Sequence, residues 1–505
     1  MTRQRLGLGV LAGILAATLV LAATRPNAPG ISLDGVTYMS AGDALVHTGE
    51  LRVPYSRWTD ADSTAALSHW APGVPVLLAI PHAFGIPIFS AARGMLVLSA
   101  FLTVLGLVLL TQRVAGTAAA VIVVAVVVAS PDLARLHTSV WSEPPFLVCV
   151  VTLLTAMVLE PDKPLLQGLL ASFGVLLRYA GVALAAAAAL WALLRPGPWR
   201  GRLRAAFVAS VPSVVAQLWW SWRTAQESAS IRHFGVNHFG RVMWLQAWDS
   251  LRKWLAPAQP LPRLLQVVLA LAVAIAGVTL LFLAVHRVRA SGEQVRPAAG
   301  TPEARLYAAA ALLAVCYTII IVTARLFADR WISFDGRIFS PVILLAETAV
   351  AVALGTWWAR AARAPRVIAA AAVAVWCSAG LTTSVREASE AMRDGLYMTY
   401  GYWRYSSLLD WVRHDGQHVP IFSNYPSAVF MYAHRSARET PNLSERTRTR
   451  EFGATLARTG GVFVAFDMPS VWLLPNEPLA HSLALREVAR FPDGVVWAAS
   501  ESTPR

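Results

Sequence analysis

The sequence predicts an α-helical polytopic membrane protein with about eleven transmembrane helices and a small C-terminal extracytoplasmic α/β domain. Three observations carry that prediction. Hydrophobic residues make up 56% and charged residues only 14% of the 505, with a mean hydropathy of +0.52, more apolar than a water-soluble chain of this length. Several apolar runs reach the roughly 20 residues that cross a bilayer. Beyond about Thr383 those long runs stop, and short hydrophobic segments alternate with helix-like ones. The net charge of +14 does not mark a nucleic-acid groove, because the basic residues sit in short clusters between apolar runs, which is a topology signal. Cys149, Cys316 and Cys377 lie widely spaced in or beside apolar runs and support neither a disulfide framework nor a metal site.

Taken in order, Leu6–Ala23 is the first span, preceded by Arg3 and Arg5. It reads as an uncleaved anchor rather than a signal peptide, since Ala22-Ala23 is a poor cleavage site. A loop too long for a simple connection runs to about Arg93. Gly94–Leu110 and Val114–Ser130 are the next spans, then Phe146–Leu159. Pro164–Leu194 is broken by Arg178-Tyr179 and reads as two spans meeting at the outer surface, because one continuous span would strand Arg178 in lipid. Ala205–Trp220 crosses next, and Ser221–Pro262, with Trp222, Trp244, Trp248 and Trp254, has the character of an interfacial segment. Leu264–Val285, Leu306–Thr323, Ile338–Trp358 and Val367–Ala379 complete eleven spans. The N-terminus is then cytoplasmic and the C-terminus extracytoplasmic, in the plasma or inner membrane.

Charge supports this order. The loops placed inside carry Arg113, Lys163 and the clusters at 195–204, 287–305 and 360–366 against few acids, as the positive-inside rule requires. Arginines 93, 135, 178, 325, 330 and 337 fall outside, and that rule does not account for them. In the tail, Val419–Ser423, Ser427–Tyr432, Gly461–Asp467 and Gly494–Trp497 are short hydrophobic runs, with helix-like Ser406–His414 and Glu451–Arg458 between them. The expected division is residues 1–382 for the membrane domain, including the long first outer loop 24–93, and 383–505 for the soluble one.

The stretch Ser32–Leu45 stands where the first span ends. On a helix Asp34, Tyr38, Ala41 and Leu45 share one face. Asp34 has two readings on this pattern: a general base near the membrane surface, or a helix N-cap. Glu347 falls in the middle of Ile338–Trp358 and is either hydrogen-bonded between helices or lines a cavity.

Six short motifs follow one another along most of the chain. They are Asp34 with Tyr38, Ala44-Leu45 and Gly49-Glu50-Leu51; Trp70-Ala71-Pro72-Gly73-Val74-Pro75; Ser142-Glu143-Pro144 with Phe146; Leu177-Arg178-Tyr179; Asp335–Pro341; and Ser423-Asn424-Tyr425-Pro426. In order and topological placement they resemble the polytopic GT-C glycosyltransferases, in particular bacterial relatives of protein O-mannosyltransferases and of the aminoarabinose transferase that modifies lipid A. The resemblance implies a membrane glycosyltransferase that takes a sugar from a polyprenyl-phosphate carrier on the outer face and gives it to a lipid, polysaccharide or protein acceptor of the cell envelope.

That chemistry needs a base for the acceptor hydroxyl, assigned to Asp34, with attack from the far face inverting the anomeric centre. The leaving phosphate needs cations, for which arginine offers a bidentate fork. Arg178 and Arg337 are the candidates, with Arg330 and Arg93 behind them. Glu143 would orient the acceptor or bind a cation, and Tyr38 and His69 complete the substrate-binding set. Simpler roles stand beside these: a helix start for Glu143, carbonyl capping for Arg178, surface pairing of Arg337 with Asp335 or Asp329, and a plain loop position for His69. Where the family often has a second acid beside the first, this chain has Gly35, a poor start for a Mg²⁺ or Mn²⁺ cage. Asp43, on another side of the helix, is no obvious replacement. These residues therefore establish no cofactor, and a divalent cation (Mg²⁺ or Mn²⁺) stays an alternative. A flippase of lipid-linked sugars and a lipid-linked glycan ligase or polymerase are the competing classes; nucleic acid is not an expected partner.

Overall fold

The structure, a computed structural model, describes residues 3–25, 29–225, 240–257, 262–290, 300–329, 332–416, 418–468 and 473–500. Among the described residues, fourteen α-helices lead up to the tail. They are α1 (Arg3–Ala23), α2 (Leu33–Thr48), α3 (Gly73–Ala83), α4 (Ile88–Ala129), α5 (Pro131–His137), α6 (Glu143–Leu159), α7 (Pro164–Leu177), α8 (Val182–Leu193), α9 (Trp199–Ala225), α10 (Arg241–Leu255), α11 (Arg263–Ala290), α12 (Pro302–Phe327), α13 (Ser340–Trp358) and α14 (Arg363–Asp394). The strands are β1 (Arg52–Val53), β2 (Tyr55–Arg57), β3 (Ala65–Ala66), β4 (Ile421–Ser423), β5 (Ala437–Glu439), β6 (Val462–Phe466), β7 (Arg486–Phe491) and β8 (Gly494–Ala498). The chain divides into two compact units.

The first unit comprises Met1–Pro26, Trp70–Val74 and Arg93–Met392 and is helical. Every stretch read as a span is helical. Among the described residues, six helices are long and apolar enough to cross a membrane: α1, α4, α11, α12, α13 and α14. The two spans read at Gly94–Leu110 and Val114–Ser130 form one long element that breaks at Gly116, where φ is 84°, a backbone state open to glycine and costly for other residues. Helices α6, α7 and α8 are shorter, at 17, 14 and 12 residues. Short helices are tolerated where their ends are buried in protein, because the freed backbone groups find partners there. The last span is longer than expected: α14 runs to Asp394 rather than stopping near Ala379. Phe146, Leu184, Trp191, Leu306 and Tyr317 are all buried in the core of this unit. Close approach of α7 to α9 needs Gly168, because a Cβ there would overlap the Ala209 carbonyl oxygen.

The second unit comprises Asn27–His69, Pro75–Ala92 and Arg393–Arg505. Its six-stranded sheet has the order β2-β5-β4-β6-β8-β7. The strands β2, β5, β4 and β6 run parallel, whereas β8 pairs antiparallel with both β6 and β7. The sheet differs from the expectation in composition: its edge strand β2 comes from the first loop, pairing Tyr55 with Ala437 and Arg57 with Glu439. The first loop thus belongs with the tail rather than with the spans, and the expected division at 382/383 does not describe the packing. A backbone edge accepts any strand of matching register, so a distant three-residue segment leaves no local mark. Ser427–Tyr432, expected as a strand, lies inside the helix Pro426–Ala433. Pro426 at its first turn is preset for a helix start, and a short apolar run does not distinguish the two states by period. Asn424 explains its motif: its side chain both donates to the Phe466 carbonyl and accepts from the Phe466 N–H, each at 2.9 Å, continuing the sheet pairing beside β6.

Trp58, just past β2, locks the loop into this core. It is 2% exposed, meets Phe452 edge-on at 5.8 Å, and its indole N–H donates to Glu445 at 3.3 Å. Trp58→Ala is expected to cost about 3–5 kcal/mol and to open the 393–500 segment of the full-length protein to proteolysis. Unchanged protection of that segment would mean that the first loop folds apart from the tail.

Candidate functional site

The residues singled out in the sequence fall in both units. In the second, Asp34 stands in the first turn of α2. Ser32, not Asp34, caps the helix, its hydroxyl accepting the Gly35 N–H at 3.2 Å, so the capping alternative for Asp34 does not hold. Asp34 keeps part of its surface exposed. One turn on, the Thr37 hydroxyl makes a short hydrogen bond with the Tyr55 hydroxyl and donates to the Leu33 carbonyl at 3.0 Å. Burial drives the Tyr55 phenol well above its usual range, the Thr37 bond opposing, with Glu439 and the Asp34 charge adding to the rise. Tyr55 therefore stays protonated as a neighbour in the field of Asp34, a partnership that sequence reasoning missed because β2 is recognisable only through its pairing. Tyr38 is buried on the same helix. His69 is exposed in a bend before α3.

In the first unit the structure brings together three of the chosen residues. Glu143 opens α6 and is completely buried. The Arg178 guanidinium forms an ion pair with its Oε1, and Arg337 Nε donates to the same oxygen at 2.7 Å. Arg178 occupies the break between α7 and the single turn Tyr179–Gly181, with extended backbone (φ −153°, ψ 142°). Its side chain serves Glu143 rather than capping carbonyls. Arg337 also lies over the Trp141 ring, 4.6 Å from its centroid, a favourable cation–π position. Asp335, the expected surface partner of Arg337, instead accepts the Ile338 N–H at 3.0 Å and the Ser333 hydroxyl at 2.6 Å. Two guanidiniums on one carboxylate leave a net single positive charge. Arg330 lies outside the described residues. Arg93 donates to the Thr24 carbonyl at 2.8 Å.

The same unit holds a polar cavity of about 180 Å³, with Asp132, Arg135, Arg252, Lys253, Arg263 and Glu387 in its wall. At about 30 Å³ per water, it has room for several waters or one phosphate group. Arg135 pairs with Glu387 at 3.2 Å, and Arg252 and Lys253 reach Asp249 at 2.5 and 2.7 Å. Burial pushes Asp132, on the short helix α5, up to about 6 against the pull of Arg135. Four cations thus outweigh the acids. In the sequence Arg135 stands out only as an outer arginine, and the Arg252-Lys253 end of the amphipathic α10 carries no signal beyond a basic pair beside Trp254.

Glu347 is buried on α13 and accepts the Trp254 indole N–H at 2.9 Å. Of its two readings, the interhelical hydrogen bond is the one observed.

No protein-family model matches this sequence. A comparison with curated proteins finds no match either. Solved structures do match. ArnT from Cupriavidus metallidurans in the apo state aligns over 99% of both chains with a TM-score of 0.60 and 15% identity, and its complex with undecaprenyl phosphate aligns over the same share at 0.59 and 14%. The arabinofuranosyltransferase AftD from Mycobacteria aligns over the whole of this chain and 40% of its own, with a TM-score of 0.57 and 15% identity. The Archaeoglobus fulgidus oligosaccharyltransferase, complexed with Zn and sulfate, aligns over 97% of this chain and 73% of its own at 0.51 and 13%. The fold is that of the GT-C glycosyltransferases. At such low identity the likeness is one of architecture, and it extends through both units of the chain.

Glu347→Gln keeps an acceptor for the Trp254 indole and is expected to change the melting temperature little, whereas Glu347→Leu leaves that buried N–H unpaired at a cost of about 1–3 kcal/mol. Thermal unfolding of the detergent-solubilised protein checks the contrast; equal losses for both variants would mean that the carboxylate charge itself matters.

Proposed function

We propose that the protein is a membrane glycosyltransferase that moves a sugar from a polyprenyl-phosphate carrier to a lipid, polysaccharide or protein acceptor of the cell envelope, with inversion at the anomeric carbon. The observation that carries this reading is the end-to-end fold likeness to a transferase whose crystal structure holds undecaprenyl phosphate. The basic cavity of the first unit supports it, because a lipid phosphate needs cations where the bilayer supplies none.

In this reading the acceptor hydroxyl gives its proton to Asp34 as its oxygen bonds to the anomeric carbon, and the bond from that carbon to the phosphate oxygen breaks. Polyprenyl phosphate leaves with the electron pair, and its added negative charge is met by arginine. Arg337, partly exposed and sharing Glu143 with Arg178, and the cations around the cavity are the groups for that task. Arg330 belongs to the same set. Glu143 holds the two arginines in place, and Tyr38 and His69 serve the substrate. The soluble unit faces the extracytoplasmic side of the plasma or inner membrane, where no nucleotide sugars are available.

Asp34→Asn is expected to lower sugar transfer by about 10²–10⁴-fold while undecaprenyl phosphate still binds. Arg252→Gln with Lys253→Gln is expected to weaken undecaprenyl phosphate binding. Envelope glycan analysis and lipid binding to the purified protein read the two effects. Full transfer by Asp34→Asn would remove the base assignment, and unchanged glycans with a redistributed lipid carrier would make the protein a flippase.

A further inference from the structure

The second unit carries a cluster that the transferase reading does not use. Helix α2 places Asp43 and His47 one turn apart, and His82 comes from the last turn of α3. One ligand atom from each residue lies within 4.8 Å of the others. The packing that brings them together depends on Gly42: a Cβ there would lie 2.9 Å from the Pro75 carbonyl oxygen, so the glycine lets α3 approach α2 closely enough for His82 to meet Asp43.

The hydrogen bonding then defines the chemistry. His82 Nδ1 is 2.8 Å from the Ile86 carbonyl oxygen, which only accepts, so Nδ1 carries a proton. In the neutral ring the other nitrogen is a lone pair. That nitrogen, Nε2, stands 2.9 Å from Asp43 Oδ1, another acceptor. A facing pair of acceptors needs either a proton or a cation between them. Imidazoles that bind metals commonly donate their second N–H to a carbonyl in this way. The spacing agrees: with metal–ligand bonds of about 2.0–2.1 Å, neighbouring donors of a tetrahedral zinc site stand about 3.3 Å apart. For the first pair, Asp43 Oδ1 is 2.9 Å from His82 Nε2; His47 Nδ1, 3.4 Å from the same oxygen, donates to the Asp43 carbonyl oxygen at 2.9 Å, so Nε2 is the nitrogen that His47 offers to an ion. Oxygen with two imidazoles suits zinc better than magnesium or calcium, which favour all-oxygen shells. The side chains are 43%, 64% and 17% exposed for Asp43, His47 and His82, so an ion has a way in and a fourth position is open to water.

We propose that Asp43, His47 and His82 form a zinc-binding site that clips α2 to α3 and leaves one coordination position exchangeable. The site is independent of the catalytic assignment, since it uses neither Asp34 nor any residue of the first unit. Its test uses the full-length protein in detergent, stripped with a chelator and dialysed against micromolar zinc chloride or against magnesium chloride. The wild type is expected to retain about one zinc more per chain than His47→Ala or His82→Ala by elemental mass spectrometry, and zinc but not magnesium is expected to raise its melting temperature. The exposed His47 can be removed without disturbing the core, so His47→Ala decides the matter if His82→Ala folds poorly. Equal zinc retention by the wild type and His47→Ala, with no zinc-dependent change in melting temperature, would reduce the cluster to an ordinary imidazolium–carboxylate pair.

Discussion

A single buried carboxylate sets the geometry of the membrane unit. Glu143 lies at the start of α6, and its oxygen gathers Arg178 from the break after α7 and Arg337 from the turn before α13. Each arginine is 11% and 27% exposed at its side chain, respectively, whereas Glu143 is not exposed at all. Taking such charges from water costs several kcal/mol per ion, and only close pairing offsets it. The three chain breaks are thereby tied at one point. The arrangement also explains why Arg178 interrupts a hydrophobic stretch: it has a countercharge to reach, and an unbroken helix would not deliver it.

The second unit is organised differently, through backbone pairing and small residues. Ser32 starts α2, Gly42 allows α3 to lie against it, and β2 then adds to the edge of the tail's sheet. Asp34 is carried on the first turn of this well-anchored helix with the protonated Tyr55 phenol near it. The proposed base role needs a carboxylate whose position is fixed, and a packed helix supplies that better than a free loop does.

Much of this was readable from the sequence, and the limits have physical causes. Long apolar runs with arginines at their ends marked the helices, and Arg178 marked a true break because a charge in lipid demands an explanation. Proximity did not show. Glu143 and Arg337 are 194 positions apart, and no local periodicity records such a pair. Arg252 and Lys253 belong to an amphipathic helix whose basic residues read as an ordinary polar face. The first loop reads as part of the spans it follows, because a strand of three residues has almost no propensity signal and is created by its neighbour. Asp43 lies on a different side of α2 from Asp34 and faces His82, a partner 39 positions away that helix periodicity does not reveal.

The pairing energy at Glu143 holds the three chain breaks of this unit together, and a double-mutant cycle in the detergent-solubilised protein measures it most directly. Stability losses are compared for Glu143→Gln, Arg337→Gln and the double variant. Shared burial predicts a double loss smaller than the sum of the single losses by about 1–3 kcal/mol, because removing both charges leaves less to neutralise. Losses that add to within about 0.5 kcal/mol would mean that the two groups act independently and that the ion cluster does not hold this unit together.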